Sequence, residues 1–400
     1  MPQFAAETPL LRDARPAETD VRELPVKGDL PPGLDGMLLR IGPDDKDGQP
    51  LLAALRVQQG HAEWFRTRRI RTDRVCEITG ELPSPGPRRC PSDNTHAAVV
   101  QHAGRILALA DGALPYELSA DLATKARHDF DGTLPFGFTA HPVHDPLTGE
   151  MFAAVSSPVT PHLWYVVVDV HGRVRRCEPI TSSPGPGSPA FSVTHRHAVF
   201  HEPTRIGIMP CTGTAQQLSW IPVEPVHVLQ VVNAYDLPDR RLVLDVVRRA
   251  PLGPVLWRWT LDPVSGTASG ELLDPRAQAF LAVDPRCTGS EHRYGFATGI
   301  DSASRRGNSL VRHDFASGDS QIHVPGADRT VGPPVFVPRS PTAAEGDGWV
   351  LAATRDPGGG HDEIVVLDTR DFEGGPAALV GLPAAGPWWA HASWLVTASW

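Results

Sequence analysis

Leu256-Trp-Arg-Trp-Thr-Leu-Asp262-Pro-Val-Ser-Gly266 carries the fold in miniature. A short run rich in Trp, Leu and Thr stops at Asp-x-x-Ser-Gly, where Asp can bond the turn backbone and Gly can supply a left-handed residue. The same D-x-x-[ST]-G signal returns at Asp145–Gly149 and Asp314–Gly318. Similar apolar runs lie at Met37–Ile41, Leu51–Val57, Arg105–Ala110, Leu163–Val170, Val226–Tyr235, Arg241–Val247, Gly348–Thr354 and Glu363–Thr369. They are too short for ordinary helices and read as strands. Hairpins recurring at wide intervals predict the blades of a β-propeller rather than one sandwich. The best helical candidate is Ser119–Arg127, and residues 1–30 read as a polar, Pro-dotted arm before a single domain over 31–400.

Composition agrees. Gly 37 plus Pro 41 in 400 residues is well above ordinary usage and favours many tight turns over long helices. Charge is -9, from 37 Lys+Arg against 46 Asp+Glu, which speaks against nucleic acid as the main partner. The five cysteines are scattered, with no C-x-x-C pair, so neither a disulfide framework nor a Cys zinc site is expected. No apolar run reaches the length of a membrane helix, and the N-terminus lacks a secretory pattern. A soluble, cytoplasmic protein is the expectation.

Seventeen histidines invite a metal reading. His195-Arg-His197 with His201 is the densest group, and on a strand 195 and 197 would share a face. The group sits beside a turn signal, so a solvated edge is the plainer reading. Arg66-Thr-Arg-Arg-Ile-Arg71 is likewise read as a half-exposed strand rather than an anion patch.

A longer series of blocks is more specific. Leu30-Pro-Pro-Gly-Leu-Asp-Gly36, Asn94-Thr-His96, Arg105–Leu118, Phe138-Thr-Ala-His-Pro142, Asn233-Ala-Tyr235, His292-Arg-Tyr-Gly295 and His391-Ala-Ser-Trp394 follow one another in order. Together this series resembles the carotenoid cleavage oxygenase family, which includes stilbene-cleaving enzymes, from about residue 24 to 394. The resemblance implies an all-β, seven-bladed propeller with a loop or helical dome over the axis and an apolar tunnel. It also implies an axial Fe(II) held by four histidines.

Carried over residue by residue, His141 and His391 match two of the ligand positions. Pro189 falls at the second and Gln230 at the third; His227, three residues earlier, would face the other way along a strand. Of the glutamates that support the ligands in the family, the matching positions are Asp111, Ala279 and Pro333. Ala53 falls where the family has a further His. The expectation from these replacements is an enzyme without a metal cofactor, performing isomerisation, cyclisation or lyase chemistry on an apolar polyene or polyketide-like compound. In that reading His141 and His391 are acid/base groups, Asp111 orients one of them, and Gln230 bonds a substrate carbonyl. Pro189, Phe136, Phe138, Trp388 and Trp389 are expected to line the cavity. Two alternatives stand beside it: an Fe(II)-dependent alkene-cleaving dioxygenase with a His/His/Asp site, and a non-catalytic carrier of an apolar ligand. Weak membrane association is compatible with all three.

Overall fold

The computed structural model describes residues 18–44, 48–90, 97–157, 163–182, 190–326, 328–356, 358, 362–383 and 391–396. Within them the chain forms seven antiparallel sheets. Five consist of consecutive strands running from the axis outward, as in Val228–Asp236, Leu242–Ala250, Gly253–Asp262 and Thr267–Asp274. The blade that joins the chain's two ends is built from both. His391–Leu395 is its innermost strand and pairs antiparallel with Gly36–Pro43, His391 opposite Ile41. Thr19–Arg22 adds to the outer edge of the same sheet, and Val26–Gly28 to the edge of the preceding blade. Two segments of the expected N-terminal arm are therefore edge strands, while 1–17 lie outside the described residues.

The recurring turns form as their side chains dictate. In Asp262–Gly266, Asp262 Oδ1 accepts the N–H groups of Val264 at 2.8 Å and Ser265 at 3.2 Å, and Gly266 adopts φ 69°. Asp145–Gly149 and Asp314–Gly318 repeat this arrangement, with φ 71° and 79° at their glycines. These bonds hold the Asp262 carboxyl below the usual range.

Seven buried apolar clusters match the seven contacts between neighbouring blades. Strands inside a blade, such as Gly36–Pro43 and Gly348–Arg355, therefore bury both faces, while outer strands such as Thr267–Asp274 stay largely exposed; fully burying a Val, Leu or Ile contributes about 1.5–3 kcal/mol. One polar clip adds to this. Asp245, fully buried, takes the Arg258 guanidinium through two bonds of 2.7 Å, with the His292 ring 3.4 Å away.

The helical expectation at Ser119–Arg127 is corrected. Leu122 takes φ 70° in a tight turn closed by Ser119, and Thr124–Arg127 is a strand. The only α-helix among the described residues is Asp73–Thr79. Thr72 caps its start by accepting from the Val75 N–H, and Gly80 ends it at φ 72°. That Thr…Gly pair was the signal in the sequence.

Candidate functional site on the propeller axis

Because the blades share one strand order, their innermost strands run the same way and begin at the same end of the axis. His141 precedes Val143–His144, Gln230 lies near the start of Val228–Asp236, and His391 begins His391–Leu395. Ring closure thus brings together residues 250 positions apart in the chain. His391 keeps accessible surface at the start of its strand. Desolvation, and then the neighbouring His141, push its pKa down to about 4, leaving an uncharged imidazole at neutral pH.

Backbone packing sets His141. Gly112 N–H donates to Phe138 O and Phe138 N–H to Ala113 O, which stitches segment 111–113 to 137–140. A Cβ on Gly137 would stand 2.2 Å from Gly112 O, so the approach requires glycine. Asp111 Oδ1 accepts the Ala140 N–H at 2.8 Å and the Thr139 hydroxyl at 3.1 Å. No hydrogen bond to Asp111 Oδ2 is found among the described residues.

The other expected residues fall differently. Gln230 engages Leu281 through both ends of its amide: Nε2 donates to the Leu281 carbonyl at 2.8 Å and Oε1 accepts its N–H at 3.0 Å. Phe138 is buried against Phe130, ring centres 5.0 Å apart, and Phe136 packs on Trp164 at 5.1 Å. Both belong to the core between two blades rather than to the axis. Pro189, Trp388 and Trp389 lie outside the described residues. The histidine-rich stretch does not converge on one point. His195 bonds Ser290 at 2.6 Å, His197 bonds Asp236 at 2.9 Å, and His201 stacks on Trp259. Arg66 and Arg68 share Asp20, so that strand is no free anion patch.

A cavity of about 330 Å³ opens on the axis from Pro142 onward, walled by His144, Phe191, Val231 and Asn233. Sequence reasoning missed His144. Its buried Nε2 has no hydrogen-bond partner among the described residues, its ring lies 5.3 Å from that of His102, and burial lowers its pKa to about 4. A larger groove of about 650 Å³, beside Leu24 and Trp64, sits on the outer strands of two neighbouring blades, away from the histidine pair.

An axial histidine pair in a seven-bladed propeller defines a class, and the comparisons agree with it. The family model described as retinal pigment epithelial membrane protein matches residues 13–203 and 201–396. The chain belongs to that family, the carotenoid cleavage oxygenases. It is 29% identical to a carotenoid cleavage oxygenase of Mycobacterium tuberculosis, over 96% of each chain. The alignment of 483 positions exceeds this chain's own length, so that relative carries residues between the matched blocks that are absent here. An isoeugenol monooxygenase of Pseudomonas nitroreducens is 27% identical over 92% of this chain and 93% of its own. Among solved structures, the lignostilbene dioxygenase of Pseudomonas brassicacearum superposes with a TM-score of 0.83 at 23% identity, covering 95% and 96% of the two chains.

These findings overturn the expectation of a metal-free cyclase, isomerase or lyase with no cofactor. Relatives spanning nearly the whole chain are cleavage oxygenases, and the family uses Fe(II). The pair fits iron as two of its ligands, since both are imidazoles, a common metal donor, and His391 is uncharged. Among the described residues no three His, Cys, Asp or Glu side chains stand close enough together to hold one ion.

Proposed function

We propose that the protein is a non-haem Fe(II) oxygenase that splits a carbon–carbon double bond in an apolar, conjugated alkene lying over the propeller axis. The observation that carries this reading is the meeting of His141 and His391 at one end of the axis, in a chain of this family. His141 and His391 would hold the metal, which when bound supplies the activation of O2. Asp111 fixes the backbone that enters His141, so that imidazole needs little reorganisation on binding. Desolvation and the neighbouring His141 keep the His391 imidazole unprotonated, the form that can donate to a metal. The names of the relatives support carotenoid-like, stilbene-like or phenylpropenoid alkenes. No helix among the described residues is long and apolar enough to cross a membrane. The five cysteines are free, which supports a reducing compartment such as the cytoplasm.

The test is anaerobic loading with Fe(II), desalting, metal analysis, and then O2 consumption with isoeugenol, resveratrol and an apocarotenoid in turn. Near-stoichiometric iron and an aldehyde product, both lost in His141→Ala and His391→Ala, are expected. Iron at background in the wild type, or cleavage that persists in both variants, would overturn the reading.

A further inference from the structure

The innermost strand Gln278–Val283 is broken by a bulge. Ala279 pairs with Thr298 and Ala282 with Phe296, so Phe280 and Leu281 together oppose one residue, Ala297. Phe280 takes φ 54°, the only non-glycine residue among those described that enters the left-handed region inside a strand. An aromatic residue there is strained, and such strain persists only where the surroundings enforce it. A bulge of this kind also re-aims side chains.

The enforcing group comes from the next blade. Bulging leaves the Leu281 main chain outside the ladder, and the Gln230 amide satisfies both its N–H and its carbonyl, as a neighbouring peptide would. Only a primary amide of this length provides a donor and an acceptor side by side for such a pairing. The strand that carries Gln230 is itself irregular at that point, its register shifting between Val228 and Gln230. Leu281 turns into the core shared with Val247 and Leu256, whereas Phe280 stays half-buried on the innermost strand of its blade.

We propose that Gln230 is a positioning residue whose clamp on Leu281 sets the Phe280 ring as a wall of the axial site, selecting alkenes that carry an aryl ring. The proposal rests on the reading of this site as an apolar-alkene site and narrows its substrate class. An aromatic wall stacks on a planar aryl substituent more favourably than on a branched aliphatic chain, by roughly 2- to 12-fold in affinity. Gln230 has a task in this arrangement that a histidine could not perform, because an imidazole cannot pair with both groups of one peptide.

Two measurements on the full-length protein test it. Hydrogen exchange over 278–283, followed by mass spectrometry, is expected to accelerate at least tenfold in Gln230→Ala. Gln230→Glu, which keeps the acceptor but not the donor, should fall between. Anaerobic binding of resveratrol to the Fe(II)-loaded protein, where no turnover occurs, is expected to weaken about fivefold in both Gln230→Ala and Phe280→Leu. The double variant should be no weaker than Phe280→Leu alone, because the two residues act through one element. Bound iron should stay unchanged throughout. Unchanged exchange in Gln230→Ala, additive losses, or loss of iron with Gln230 would overturn the proposal. If the wild type binds no resveratrol but takes a polyene, the aryl preference fails. If it binds neither, the site reading itself fails, and the exchange data still decide the clamp.

Discussion

The Asp111 carboxylate holds the Ala140 main-chain N–H at 2.8 Å, one residue before His141. The resemblance read from the sequence implies a ligand-supporting glutamate at this position. Here the shorter side chain reaches the backbone and the Thr139 hydroxyl. Asp111→Ala should therefore loosen the entry to His141 and lower Fe(II) affinity by about tenfold. Asp111→Asn retains an acceptor for Ala140 and should recover most of it. Metal titration of the two variants checks this; equal losses would mean that the negative charge matters rather than the geometry.

Asp245 and Arg258 predict a large stability effect remote from the chemistry. Asp245 is fully buried and bonded at both oxygens, so Asp245→Ala leaves a guanidinium with little solvent to replace its partner. A cost of about 3–5 kcal/mol is expected. The paired replacement Asp245→Leu with Arg258→Leu should cost much less, which urea unfolding of the three variants would show.

Acid sensitivity follows from buried histidines. Burial lowers the pKa of His144, His201 and His292 to about 4, whereas in the unfolded chain each titrates near 6.5. Above about pH 6.5 both states are neutral and stability is complete. As pH falls toward 4 the unfolded chain binds protons that the folded one refuses, so stability drops by up to ~1.4 kcal/mol per pH unit for each group. His201→Phe keeps a ring against Trp259 and should flatten the melting temperature against pH between 6.5 and 4. An unchanged slope would show that His201 is not among the groups responsible.

Closure of the ring offers a fourth test. The Trp394 ring covers Gly36, where a Cβ would lie 2.4 Å away. Gly36→Val should push the closing strand from its partner and destabilise the fold by about 1–3 kcal/mol. Because His391 heads that strand, bound iron should fall as well. A destabilised variant with full iron would separate the strand from the site.

Much of this protein was legible before folding, because the signals were local. Asp262-Pro-Val-Ser-Gly266 makes its turn from its own side chains and one left-handed glycine, and the alternation of short apolar runs with such turns determined a propeller. The order of blocks around His141 and His391 determined the family. Tertiary structure alone decided what these side chains do. Gln230 and Leu281 are 51 residues apart, and only the packing of two neighbouring blades brings an amide against a bulged main chain. Phe138 stands three residues before His141, yet packing turns it into the core between blades. His391 is an ordinary histidine in sequence, and it becomes an uncharged one beside His141 only because the last strand closes on the first. Turn chemistry acts over a few bonds. Desolvation and pairing depend on neighbours that the chain order does not supply.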